Sequence, residues 1–285
     1  MKQVEERRLL WQLLRLLVVV GAVITMADTQ STEKVGRSYC WGGNKHDADR
    51  FLSNLNTTIS SLRQQLSISR FATAHALFNG EFVRGVAWCR GYVSIPDCVA
   101  CFNDAVAQLK ACGTGYGGYA FYNDCDVSFS GMNMFRWFPT LRKGMVVCVN
   151  ITSPMPTKFR RAAERLISDL QIVAPRTSDF YAVSTRKEAG DNDTVYAIAQ
   201  CNLNLSKSAC LQCLKWRSNS LYDCLPRTSG WSHGGGCFMR YSGTPFFGQN
   251  QTDITSLIWK DTTNRSIHDL PTDFDRLLPT EYDFC

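Results

Sequence analysis

The chain has 285 residues, 45% hydrophobic and 20% charged, which is the balance of a folded protein with room for two domains and excludes a disordered chain. Its formal net charge is +6 without any run of clustered Lys or Arg, so it lacks the basic stripe that nucleic-acid binding needs. Thirteen cysteines are an excess that points to an oxidising compartment, where cross-links supplement the core.

The first element is a leader. MKQVEERR is short and charged, and LLWQLLRLLVVVGAVITMA adds an apolar run broken by Arg15. Thr25 and Ala27 are small residues at the −3 and −1 positions of a cleavage site, so residues 1–27 read as a secretory signal peptide. The competing reading is a single anchor, since the run approaches the ~20 residues a membrane span needs. No second long apolar stretch follows, so the mature chain is expected to be soluble and without a span. Removal of 1–27 leaves a charge of +4, enough only for weak attraction to acidic polymers or surfaces. Sequons at Asn56, Asn150, Asn192, Asn204, Asn250 and Asn264 fit a glycosylated extracellular product.

Residues 33–140 read as a first module. A short strand carries Cys40, and Phe51, Leu52, Leu55, Ile59, Leu62 and Leu66 recur at helical spacing. FATAHALF and VRGVAWC read as strands, with His75 a structural residue among apolar neighbours. Ser94 and Asp97 form a capping box for a second helix that Gly113 can end. YAFYNDCDVSFS then places strands around Cys125. Residues 141–248 repeat this order. Cys148 comes first, and Thr157 caps a helix bearing Phe159, Ala162, Ala163, Leu166, Ile167 and Leu170. FYAVST and TVYAIAQC follow, a second helix starts near Ser206, and GGCFMRYSG holds Cys237. His233 in GWSHGGG reads as a surface residue of a turn-rich loop. Residues 249–285 form a polar C-terminal tail. The fold class is α+β, with two helices packed on an antiparallel sheet in each module.

The repeat is measured by its cysteines. Cys89, Cys98, Cys101, Cys112 and Cys125 recur at an offset of 112 as Cys201, Cys210, Cys213, Cys224 and Cys237. Cys40 and Cys148 are offset by 108. The Cys-x2-Cys spacing resembles half a zinc ribbon, but a secretory leader favours disulfides over metal, and no metal is assigned. Six cysteines allow 15 pairings. Cys101 and Cys112, 11 residues apart on one helix, are separated by ~16 Å of rise and cannot pair with each other; the same holds for Cys213 and Cys224.

The duplicated Cys-x8-Cys-x2-Cys, with RYSGTPFF after the last module cysteine, resembles the plant cysteine-rich repeat family. That family includes the antifungal seed protein ginkbilobin, cysteine-rich repeat secretory proteins, plasmodesmata-located proteins and ectodomains of cysteine-rich receptor-like kinases. The resemblance covers about residues 33–248 and implies a five-stranded antiparallel sheet with two helices per module. It implies the pairs Cys40–Cys112, Cys89–Cys98 and Cys101–Cys125, then Cys148–Cys224, Cys201–Cys210 and Cys213–Cys237. Cys285 is left over and is a candidate for an intermolecular bridge.

Ginkbilobin binds mannose through an Asn, an Arg and a Glu. The corresponding positions hold Trp41, Tyr119 and Ser130, then Val149, Trp231 and Ser242, so mannose binding is not transferred. Tyr119 and Trp231 could stack on a sugar as possible ligand contacts, but packing on the sheet or the partner module is the favoured reading. No nucleophile–base motif, metal motif or Walker loop occurs, so no catalytic residue, cofactor or metal is expected. The expected function is that of a secreted, non-enzymatic apoplastic protein that binds an unknown extracellular protein or glycan in defence, stress or signalling. The alternatives are a glycan-binding antifungal protein and the truncated ectodomain of a receptor kinase.

Overall fold

A computed structural model describes residues 36–44, 47–113, 115–131, 144–187, 194–234, 236–248, 250 and 252–259. The leader, Cys285, Asn192, Asn264, His46, His268 and most of the tail lie outside them.

The first module contains β1 (Arg37–Asn44), α1 (Ala48–Leu66), β2 (Phe71–Phe78), β3 (Glu81–Cys89), α2 (Ile95–Leu109), β4 (Gly115–Phe121) and β5 (Cys125–Ser130). The second contains β6 (Met145–Cys148), α3 (Pro156–Val173), β7 (Tyr181–Arg186), β8 (Val195–Cys201), α4 (Lys207–Tyr222), β9 (Ser229–Gly234) and β10 (Cys237–Ser242). Each module is one antiparallel five-stranded sheet, ordered β1-β4-β5-β3-β2 and β6-β9-β10-β8-β7. The α+β reading, two helices on such a sheet in each module, is what the structure shows.

Local chemistry explains the helix ends. Ser94 Oγ accepts the Asp97 N–H, and Ser206 Oγ accepts that of Ala209, which satisfies donors that a helix start leaves open. The start of α3 differs from expectation. Met155 is the cap residue and Pro156 opens the helix, so Thr157 lies inside it. The helix before Cys112 also ends sooner, at Leu109, and a 3-10 turn over Lys110–Cys112 leads to Gly113.

The helices of the first module pack on one face of their sheet. Phe51, Leu62 and Leu66 of α1 and Phe102, Ala105 and Leu109 of α2 meet Ala72, Val83, Ala87, Ala120, Val127 and Phe129. The second module builds the same layer around Phe159, Leu166, Leu170, Leu214, Leu221 and Tyr241. Gly118 and Gly230, one repeat apart, let this layer close. A Cβ at Gly118 would lie 2.9 Å from the Cys112 sulfur, and one at Gly230 would lie 3.1 Å from that of Cys224.

The bridges run Cys40–Cys112, Cys89–Cys98 and Cys101–Cys125, and Cys148–Cys224, Cys201–Cys210 and Cys213–Cys237. In each module the second helix is therefore tied at one end to the strand that precedes it, in its middle to the fifth strand, and beyond its far end to the first strand.

The two outer edges at β2 and β7 are closed differently. The Gln65 side chain from α1 accepts the Thr73 N–H and donates to the Thr73 carbonyl. The equivalent strand position in the second module is Val183, since Val183 pairs with Ile198 as Thr73 pairs with Val86. There Thr252 accepts the Val183 N–H on its hydroxyl and donates its own N–H to the Val183 carbonyl. The start of the tail is thus structured. It continues into α5 (Ile254–Trp259), whose Ile254, Leu257 and Ile258 pack on the second core. His75 is exposed on β2 rather than set among apolar neighbours. Asn56, Asn150, Asn204 and Asn250 are also exposed. No helix among the described residues is long and apolar enough to cross a membrane.

Loop length orders the bridges. Replacing Cys40 and Cys112 by Ala, which opens a 72-residue separation, is expected to cost about 4 kcal/mol, against about 3 kcal/mol for Cys89 and Cys98, separated by nine. Urea unfolding of the two variants beside the parent protein measures this order.

Candidate functional site

An antiparallel sheet with helices on one face usually shows water its other face, and its strands then alternate buried and exposed. Here they do not alternate. All six residues of β5 are buried, as are all but one in β9 and in β10. The second face of each sheet is covered by the other module. The seam between them has an apolar part formed by Val86 and Trp88 from the first module and Val183, Ile198, Trp231 and Phe238 from the second.

A polar cluster adjoins it. Arg90 follows Cys89 at the end of β3 and is completely buried. Its guanidinium donates to Asp126 Oδ1 at 2.9 Å and Oδ2 at 3.2 Å, to the Tyr122 carbonyl at 3.0 Å and to the Asn123 carbonyl at 3.1 Å. Its carbon centre lies 4.4 Å from the Trp88 ring centroid and 4.0 Å from that of Phe238, so the group is held between the two modules. Burial alone would push the Asp126 carboxyl up. Arg90, with a smaller contribution from His233, outweighs it and holds the group below the usual carboxylate range.

His233 enters from β9. It is completely buried, which corrects the reading of it as a surface residue: the GWSH run is a strand facing the other module. Its Nδ1 lies 3.1 Å from Arg90 Nη2 and 3.4 Å from Asp126 Oδ1. These contacts ask for opposite protonation of Nδ1. Burial disfavours the charged ring and so favours neutral imidazole. Burial is the main influence lowering its pKa, with Arg90 and Arg217 adding to it against Asp126.

A second clamp uses the backbone. Gln200 of β8 accepts the Gly91 N–H at 3.0 Å and donates to the Cys89 carbonyl at 3.1 Å. Residue 91 is glycine because the Tyr181 ring of the second module would sit 2.4 Å from a Cβ there. At the rim, Tyr92 packs edge-on against Phe246 at 5.6 Å and its hydroxyl donates to Asp124. Burial and then Asp124 push the Tyr92 phenol up to about 12.

The two aromatic residues considered for sugar stacking belong to this seam. Tyr119 is 8% exposed and donates its hydroxyl to Asp126 Oδ2; Trp231 is 7% exposed and joins the apolar part. Neither offers an open face to a ligand: Tyr119 packs edge-on against Phe121 of its own sheet, and Trp231 packs against the other module. Ser130 and Ser242 are buried too, and Val149 packs against the seam. The side chain of Trp41 lies outside the described residues.

Arg90, Asp126 and Gln200 were not singled out from the sequence. A signal was available in the repeat. At the offset of 112, Asp126 stands against Phe238, Phe121 against His233, and Trp88 against Gln200. Such trades between polar and apolar residues mark two surfaces that fit each other rather than copy each other.

Removing one partner strands a buried charge. Asp126→Asn is expected to lower unfolding free energy by about 3–5 kcal/mol, and the double change Arg90→Met with Asp126→Leu to recover most of it. Chemical denaturation of both variants is the measurement.

The sequence family described as Salt stress response/antifungal matches residues 39–132 and 147–244. Cysteine-rich repeat secretory protein 38 of Arabidopsis thaliana is 27% identical over 196 residues, covering 68% of this chain and 77% of that one. The antimicrobial ginkbilobin-2-like protein of Castanea crenata is 28% identical over 211 residues, 73% of this chain and 87% of that one. Cysteine-rich receptor-like protein kinase 2 of Arabidopsis thaliana is 26% identical over 203 residues; the match takes in 71% of this chain but spans only 31% of the kinase. Among solved structures, the tandem DUF26 ectodomain of the Arabidopsis thaliana receptor-like protein PDLP5 superposes with a TM-score of 0.59 at 23% identity, over 72% of this chain and 97% of that one, which shows the shared fold. With two such domains in tandem, the chain belongs to the Salt stress response/antifungal (DUF26) family of cysteine-rich repeat proteins.

Proposed function

We propose that the chain is a secreted, non-enzymatic binding protein of the plant cell exterior, built from modules at 33–140 and 141–248 and acting in defence, stress or extracellular signalling. One observation carries this reading: twelve cysteines form six bridges within two modules, a construction that suits an oxidising exterior. Relatives named as secretory and antimicrobial proteins, matched over most of their length, support it. The exposed sequons Asn56, Asn150, Asn204 and Asn250 are proposed glycan acceptors.

The seam gives the proposal a physical form. It joins the modules, so a partner meets a fixed surface and orders little of it on binding. The ligand is an extracellular protein or glycan met on the outer surfaces, because the sheet faces carrying Tyr119 and Trp231 are spent on each other. A receptor ectodomain is the second reading, favoured by the match to a receptor kinase.

Glycan-array binding and titration with mannose test this. Mannose is expected to bind with a Kd weaker than about 1 mM. Tight, saturable mannose binding would restore the lectin reading, and turnover of a substrate by purified protein would overturn the non-enzymatic one.

A further inference from the structure

The buried cluster contains an imidazole, a group that ordinarily changes charge near neutrality, and that group sits between the modules rather than inside one. His233 is faced by Arg90 from the end of β3, by Asp126 from β5 and by Arg217 from α4, whose Nη1 donates to the His233 carbonyl. Tyr119 of β4 bears on Asp126 from the other side. The rings of Phe121 at 5.6 Å and Phe238 at 4.7 Å close over the imidazole. Its Nε2 is buried with no hydrogen-bond partner among the described residues.

We propose that His233 makes the seam acid-sensitive, so that its protonation loosens the packing of one sheet on the other while the disulfide-tied modules stay folded. A proton on Nδ1 would point at the donor group of Arg90, 3.1 Å away. Asp126 Oδ1, 3.4 Å away, would have to serve the charged ring and Arg90 together. Either way the added charge is met by two guanidinium groups and one carboxylate in a water-poor space.

The sign follows from linkage. His233 titrates below its ordinary value in the folded chain and near 6.5 when the seam is open, so the open form binds more protons as pH falls. Seam stability is therefore present above about pH 6.5 and declines below it. Asp126 loses its contribution only below the ordinary carboxylate range, which leaves the window between pH 7.5 and 5.0 to His233. The first module carries Phe121 at the equivalent position, so the scaffold accommodates an aromatic ring there without a titrating nitrogen.

Hydrogen exchange of the intact, oxidised chain tests this at pH 7.5 and 5.0, corrected for intrinsic rates. Peptides covering 125–130 and 229–242 are expected to exchange several-fold faster at the lower pH, up to about thirtyfold if the closed seam takes up no proton at pH 5.0. Peptides from α1 and α3 should not change. His233→Phe and His233→Gln should both abolish the rise, and His75→Gln should keep it. Equal seam exchange at both pH values, persistence of the rise in both His233 variants, or an equal rise in α1 and α3 would each overturn the proposal.

Discussion

Each sheet has two faces and only two helices to cover them. The helices take one face, and the other must be hidden by something as large as a sheet. The other module provides it, and this constraint organises the chain. It explains why β5 and β10 are buried on both sides, and why Trp88, Trp231 and Phe238 are large apolar residues on faces without helices. It also explains how a fully buried arginine is tolerated. Arg90 ends the strand at the seam, where Asp126 and two backbone carbonyls accept its donors and two rings flank it. The pair adds little net stability of its own.

A duplicated scaffold meets this constraint by keeping some residues and changing others. Five of the six cysteines in each module, and Gly118 and Gly230 beside them, are repeated at a fixed offset, because the same helix must dock on the same sheet. The seam residues are not repeated. Two identical carboxylates at positions 126 and 238 would repel, whereas Asp126 and Phe238 give Arg90 a charge partner and a ring. The edges follow the same logic: a glutamine from α1 closes one, and the start of the tail closes the other.

Much of this was readable from residues alone. The helix stripes, the caps at Ser94 and Ser206 and the strand runs depend on local periodicity and side-chain chemistry, which a sequence displays directly. The pairing of cysteines came from family resemblance rather than spacing, because spacing excludes pairs without choosing among the rest. The seam was hidden for a different reason. Burial of His233 arises from contact with segments more than 100 residues away, and locally it looks like a polar residue near a turn. Thr157 misled because a proline before it already opens the helix.

Buried contacts across the seam couple the two modules into a single folding unit at neutral pH. Equilibrium unfolding of the oxidised chain in urea, followed together by far-ultraviolet circular dichroism and tryptophan fluorescence, is the measurement that decides this. One transition with coincident midpoints is the result the seam predicts; two separated transitions, each unfolding one module, would contradict it.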